Sequence, residues 1–72
     1  MKGIKMTIEI EAVELIEELR KEFPQSPVIH TAYRHSIRSN SLKVIDAFKL
    51  GIRIYPKDCC EGVERFRKLI EK

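Results

Sequence analysis

The chain contains no tryptophan, and its two tyrosines and three phenylalanines make up only 7% of its 72 residues. Its only cysteines, Cys59 and Cys60, are adjacent, and neighbouring cysteines rarely form a disulfide with each other. No unbroken apolar run exceeds three residues, whereas a membrane-spanning helix needs about 20. These absences argue against a disulfide-stapled secreted scaffold and against a membrane protein, and we expect a cytoplasmic protein.

The short length limits what the chain can do alone. A domain of this size buries only about 60% of the surface that its unfolded form exposes, so its core is marginal without a partner, a metal or a disulfide. The positions of the two histidines and two cysteines fit no metal-binding signature, and no phosphate-binding or hydrolase motif is present. We therefore expect no metal, no cofactor, no catalytic residue and no enzymatic activity.

Charge is distributed unevenly along the sequence, although the net charge is only +3. Residues 8–23 carry six acidic and two basic side chains, whereas residues 24–60 carry six basic and two acidic ones. Such asymmetry is typical of a basic binding surface, but it also suits two parts of one chain, or two copies, that attract each other.

Hydrophobic periodicity changes early in the chain. Residues 4–10 alternate apolar with polar side chains, which predicts a strand. A helix that begins at Ile8, with Thr7 as its N-cap, is the alternative for this segment. In residues 12–23 apolar side chains recur every three or four positions and predict an amphipathic helix, which ends at the proline-containing loop 24–27.

The rest of the chain continues this alternation of strands and helices. Residues 28–33 are largely β-branched and aromatic, which predicts a buried strand. A second helix is predicted within residues 41–50, with Gly51 as its C-terminal stop. A short strand over residues 52–55 and a third helix, with Asp58 in a capping box, complete the pattern.

The predicted order of elements is therefore β-α-β-α-β-α with short connections. Strands that alternate with helices form parallel sheets with right-handed crossovers. The sequence predicts an α/β fold in which a three-stranded parallel sheet is flanked by helices, as a single domain over residues 1–72.

Several stretches resemble, in order, the second half of a receiver domain, the phosphoacceptor module of two-component response regulators. Residues 14–24 (ELIEELRKEFP) and 27–33 (PVIHTAY) are similar to its third helix and fourth strand. Residues 47–51 (AFKLG) resemble the end of its fourth helix, 55–58 (YPKD) its fifth strand and the following loop, and 61–72 its fifth helix. The resemblance implies half of a flavodoxin-like fold.

The resemblance also implies a degenerate phosphate site. In the family, a threonine or serine on strand four bonds the phosphoryl group and a small residue follows it; these positions match Thr31 and Ala32. The family's strand-five lysine corresponds to Lys57, and Tyr55 is nearest to the aromatic residue that switches on activation. The acids that hold Mg²⁺ and accept the phosphoryl group have no counterpart, so we expect that the phosphoacceptor function is lost.

A cluster of basic residues follows the predicted second strand. It lies after the carboxyl end of that strand, where open parallel sheets place ligands, and its charges suit the phosphates of nucleic acid. The alternative function is therefore a small basic nucleic-acid-binding protein that uses the loop at residues 30–43. The candidate residues of this basic loop are His30, Arg34, His35, Arg38 and Lys43.

The incomplete sheet predicts self-association. The first strand would lack a neighbour, and a bare edge strand recruits another chain. A two-fold homodimer, with a continuous six-stranded sheet or exchanged elements, would cover this edge and the final helix together. The leading prediction is thus a non-enzymatic, receiver-like module that self-associates or docks on a partner protein. The candidate interface residues are Ile4, Met6, Ile8, Val63, Phe66 and Ile70.

Overall fold

The computed structural model describes the backbone of residues 2–71 and the side chains of residues 8–71. Every regular element in residues 2–71 is helical, so the predicted three-stranded sheet and flavodoxin-like half domain are wrong. No helix in this range is long and apolar enough to cross a membrane. The elements are α1 (Lys2–Glu22), α2 (Pro27–Tyr33), a π-helical segment (Arg34–Arg38), α3 (Val44–Ile54) and α4 (Glu61–Ile70).

Helix α1 includes the segment that was predicted to be the first strand. Ile8, which is partly buried, extends the apolar stripe formed by Ala12, Ile16 and Leu19, all of which are fully buried. These positions are four, four and three residues apart, which is the spacing of one helix face. Extending an existing helix is cheaper than starting a new element, so the helical period prevails over the short alternation in residues 4–10.

Helix α2 replaces the strand that was predicted at residues 28–33. Ser26 is its N-cap and accepts a hydrogen bond from the Ile29 N–H, at 3.3 Å between nitrogen and Oγ. Pro27 occupies the first turn, where its fixed φ suits a helix and its missing N–H costs nothing. These start signals, together with full burial of Val28 and Ala32, outweigh the β-propensity of the segment.

Helix α3 confirms the second predicted helix but runs further. Gly51 is a buried residue inside α3 rather than its stop, and the predicted strand at residues 52–55 is wrong. A Cβ atom on Gly51 would lie 3.0 Å from the carbonyl oxygen of Val28. The absence of a side chain at this position therefore allows α3 to approach the backbone of α2 closely.

Helices α2 and α3 form an antiparallel hairpin. Val28, at the start of α2, meets Gly51 near the end of α3. At the opposite end, the carbonyl of His35 accepts a hydrogen bond of 2.9 Å from the N–H of Leu42, just before α3 begins. The π segment therefore extends α2, and residues 39–43 form the turn of the hairpin.

Helix α4 packs against α1, and the start of α4 contacts the end of α1. Gly62, near the start of α4, lies against the ring of Phe23, just after the end of α1. Arg65 pairs with Glu22 at 3.4 Å between Nη1 and Oε2. The molecule is thus a small helical bundle in which α1 and α4 pack together with the α2–α3 hairpin.

One apolar core joins all four α-helices. The rings of Phe48 and Phe66 lie 4.4 Å apart between centroids, tilted by 31°. Burying aromatic rings of this kind supplies a large part of the stability of a small core. The core consists of Ala12, Ile16, Leu19, Val28, Ile29, Ala32, Val44, Ala47, Phe48, Val63 and Phe66.

This core covers two of the predicted interface residues within a single chain. Val63 and Phe66 are 1% and 0% exposed, so the expectation that they lack cover is wrong. Ile8 and Ile70 are partly buried, whereas the side chains of Ile4 and Met6 lie outside the described part of the structure. A dimer built on a shared sheet is excluded by the absence of strands in residues 2–71, but self-association itself stays a prediction.

Candidate nucleic-acid interface

Three basic residues line the exposed side of α2 and the π segment. His30, Arg34 and Arg38 are all exposed and lie four residues apart, whereas the opposite side of the helix is buried. Side chains at this spacing lie on one face of a helix. We call these three residues the basic stripe.

A side-chain hydrogen bond accompanies the π segment that carries the two arginines. The buried hydroxyl of Ser36 donates to the carbonyl of Ala32, which is the acceptor that the Ser36 N–H would use in an α-helix. The N–H of Ser39 instead reaches the carbonyl of Arg34, five residues back, at 3.0 Å. Widened turns of this type occur frequently at functional sites.

The turn after the π segment is polar and held in place by its own backbone. Asn40 adopts a left-handed conformation with φ of 55°, which asparagine tolerates better than most residues. The N–H groups of Ser41 and Leu42 both donate to the carbonyl of His35, at 3.1 and 2.9 Å. The turn therefore presents exposed hydroxyl and amide groups beside the basic stripe from a fixed backbone.

Ion pairing distinguishes the predicted basic residues from one another. Lys43 pairs with Glu9 of α1, at 3.1 Å between Nζ and Oε1, and both side chains remain largely exposed. Arg34 and Arg38 form no ion pair with any side chain among residues 8–71. An exposed pair such as Lys43–Glu9 is worth at most about 1 kcal/mol, so a phosphate can replace its acid.

Two further exposed bases lie on α3 and are not among the predicted basic-loop residues. Lys49 and Arg53 are four residues apart, which places them on one helix face, with Asp46 one turn earlier. Their spacing was readable from the sequence once α3 was extended past Gly51. They add to the positive charge of the hairpin, which carries only this one acid between residues 27 and 57.

A cation–π contact joins α1 to α2 at Tyr33, three residues after His30 of the basic stripe. The guanidinium carbon of Arg20 lies 4.6 Å from the ring centroid of Tyr33, a cation–π distance. Tyr33 is partly buried and packs against the core. Together with Glu17 and Lys21, the two residues line a surface depression of about 200 Å³.

Asp58 occupies a structural position at the start of α2, whereas Arg34 and Arg38 lie beyond the end of α2. Its carboxylate accepts hydrogen bonds from the Ser26 hydroxyl at 2.6 Å and from the N–H groups of Val28 and Cys60, both at 3.1 Å. It therefore caps α2 in addition to holding the approach to α4, which begins at Glu61. The predicted capping box is thus corrected to a bridge between two helix starts.

Hydrogen bonding sets the protonation of this carboxylate. Partial burial raises the pKa of Asp58, but the bonds from Ser26, Val28 and Cys60 together outweigh that effect. The pKa therefore lies below its usual value of 3.8. Donors that favour the charged form keep Asp58 ionised and strengthen its hold on the two helices.

The residues assigned to a phosphate remnant do not share a sheet edge. Thr31 and Ala32 lie in α2 and are buried, at 8% and 0% exposure. Tyr55 and Lys57 are exposed in the connection between α3 and α4. The strands that would bring these four residues together are absent from residues 2–71.

No family model matches the chain, and no curated protein or solved structure shows a significant match.

An apolar cleft lies beside the connection between α3 and α4. Ile54 and Tyr55 are adjacent in the chain and are 52% and 42% exposed. With Pro27 and Pro56 they line a cleft of about 480 Å³, and Lys57 and Asp58 lie at its edge. Exposed apolar groups that cluster in this way mark interaction surfaces more often than isolated ones do.

The two cysteines lie in the connection that precedes α4. Both cysteines are free; Cys59 is exposed and Cys60 is partly buried. Among residues 8–71, no three histidine, cysteine or acidic side chains come close enough to hold a metal ion.

Proposed function

We propose that the protein is a non-enzymatic binding module that holds nucleic acid through the basic stripe. The observation that carries this proposal is the pair of exposed arginines, Arg34 and Arg38, which lie one turn apart on a packed helix and form no ion pair within residues 8–71. Guanidinium groups suit phosphate oxygens because their donors are planar and always charged. A helix also holds them at a fixed separation.

Neighbouring groups add to the phosphate contacts. The exposed turn at residues 39–41 supplies hydroxyl and amide donors, and Lys43 can exchange its acid partner for a phosphate. Lys49 and Arg53 extend the positive charge along α3. By contrast, α1 exposes Glu11, Glu14 and Glu18 at three- and four-residue spacing, so a polyanion is repelled from that face of the helix.

The number of charges sets the expected strength of binding. A site with three to five phosphate contacts gives affinities in the range of non-specific binding, with Kd of about 10⁻⁴ to 10⁻⁶ M at physiological salt. Contacts to phosphate carry no sequence information by themselves. We therefore expect weak, salt-sensitive binding with little sequence preference.

Fluorescence anisotropy with a labelled oligonucleotide at low salt tests the proposal. The variant Arg34→Ala/Arg38→Ala removes the two arginines, and Lys57→Ala/Lys68→Ala removes the same net charge outside the stripe. We expect the arginine variant to lose about tenfold or more in affinity and the lysine variant to lose clearly less. Equal losses would mean that only net charge matters and that the stripe is not the site.

The apolar cleft favours a second candidate function, self-association or docking on a partner protein. Ile54 and Tyr55 lie exposed at its mouth, and covering them would remove apolar surface from water. Light scattering at about 10 µM, where a weak dimer becomes populated, compares the unaltered chain with Ile54→Ser/Tyr55→Ser. A dimer that dissociates in the variant supports this candidate, whereas a monomer in both leaves the cleft without a role in self-association.

A further inference from the structure

We propose that the nucleic acid bound by this protein is single-stranded and that an unpaired base stacks on the guanidinium plane of Arg20. This inference rests on the proposed function and names its ligand class. It is carried by a different observation, the cation–π contact between Arg20 and Tyr33 at the border of the basic stripe.

Tyr33 makes Arg20 a rigid platform. The ring packs against the core on one side and holds the guanidinium group 4.6 Å from its centroid on the other. A free arginine side chain loses much rotational entropy when a ligand fixes it, and the contact with Tyr33 restricts Arg20 before a ligand binds. Both arginine planes and aromatic rings serve as stacking surfaces for unpaired bases.

The platform lies next to the residues that would hold the backbone. Tyr33 immediately precedes Arg34 and follows His30 by three residues on the same continuous helix. Lys21, adjacent to Arg20 on α1, is exposed at the rim of the same depression. His30 and Tyr33, three residues apart, are neighbours on the helix surface, so a strand that follows the basic stripe to His30 passes beside Tyr33 and Arg20.

The depression suits a base better than a phosphate. Its lining combines Arg20 and Lys21 with Glu17, whose carboxylate accepts hydrogen bonds from the amino groups of a base, a contact that a phosphate without donors cannot make. Its volume of about 200 Å³ offers room for a planar ring system. A duplex keeps its bases stacked inside, so only an unpaired strand can use this surface.

Binding measurements with matched ligands separate this inference from the proposed function. Anisotropy compares a labelled single-stranded RNA, the single-stranded DNA of the same sequence and the DNA duplex at equal salt. We expect either single strand to bind about tenfold more tightly than the duplex, because only it gains base stacking. A duplex that binds as tightly as both single strands would overturn the inference and leave the proposed function intact. No binding of any ligand would overturn both.

The variant Arg20→Lys gives the sharper test because it keeps the charge and removes the plane. We expect it to weaken single-strand binding about fivefold or more, to leave duplex binding unchanged and to leave the dependence on salt unchanged. Tyr33→Leu should act in the same direction, and thermal unfolding by circular dichroism checks that it still folds. Unchanged single-strand binding by Arg20→Lys would contradict stacking and reduce Arg20 to a point charge.

Discussion

The two ends of the α2–α3 hairpin hold their charged groups in opposite ways. At one end the carboxylate of Asp58 accepts three hydrogen bonds from within the fold, so its bonding capacity is used internally. At the other end Arg34 and Arg38 are exposed and unpaired with respect to residues 8–71. The contrast teaches that the first charge stabilises the bundle, whereas the second pair is available to a ligand.

The largest expected effect comes from the core that connects the two ends. Phe48→Ala removes a fully buried ring that stacks on Phe66. We expect a loss of about 3–5 kcal/mol in the free energy of unfolding, which is a large share of the stability of so small a domain. Urea denaturation followed by circular dichroism measures it. A loss below 1 kcal/mol would show that the core is not packed as described.

A change at Asp58 should produce the next largest loss of stability. It also tests whether the two ends of the hairpin act independently. Asp58→Ala removes an acceptor from the Ser26 hydroxyl and from two backbone N–H groups. We expect a loss of about 1–3 kcal/mol in stability, because a helix cap and charge-assisted bonds disappear together. Nucleic-acid affinity of the folded variant should not change, and a strong loss of affinity would show that the two ends are not independent.

The lowered pKa of Asp58 predicts how the stability of the fold depends on pH. Since the folded-state pKa of Asp58 lies below its usual value of 3.8, its contribution is full above that value and is lost as the pH falls through the folded pKa. We expect the free energy of unfolding to fall below about pH 4 and to fall less steeply in Asp58→Asn. Chemical denaturation at several pH values measures both slopes. Identical slopes would show that Asp58 does not contribute to the pH dependence of stability.

The smallest effect on stability is expected at the basic end. Arg34→Ala/Arg38→Ala removes exposed side chains that form no ion pair within residues 8–71, so stability should change by no more than about 0.5 kcal/mol. The thermal midpoint is the measurement. A larger loss would show that these arginines stabilise the fold in the way that Asp58 does.

Part of this fold could be predicted from the sequence. The apolar stripe that includes Ile16 and Leu19 correctly predicted a helix over residues 12–22, because three- and four-residue spacing is specific when it continues over several turns, but not its start at Lys2. The strand prediction for residues 28–33 is wrong because burial of Val28 and Ile29 in the core outweighs their β-propensity. The start signal, serine before proline at residues 26–27, was present but was interpreted as a loop.

The sequence indicated which residues of the candidate site are basic but not how they are arranged in space. His30, Arg34 and Arg38 were selected for their charge, but their alignment on one face depends on the helix that a strand prediction excluded. The contact between Arg20 and Tyr33 joins residues of two helices through packing, and no local pattern indicates it. The closing of α3 onto α2 at Gly51 likewise depends on tertiary contact rather than on spacing.

The salt dependence of binding tests the central claim, that the basic stripe contacts phosphates, most directly. Affinity for one labelled single strand is measured between about 50 and 200 mM salt for the unaltered chain and for Arg34→Ala/Arg38→Ala. For single strands the slope of log K against log salt is about −0.7 per phosphate contact, so the variant's slope should be shallower by about 1.4. Equal slopes for the two proteins would contradict the claim, because the arginines would then displace no counterions.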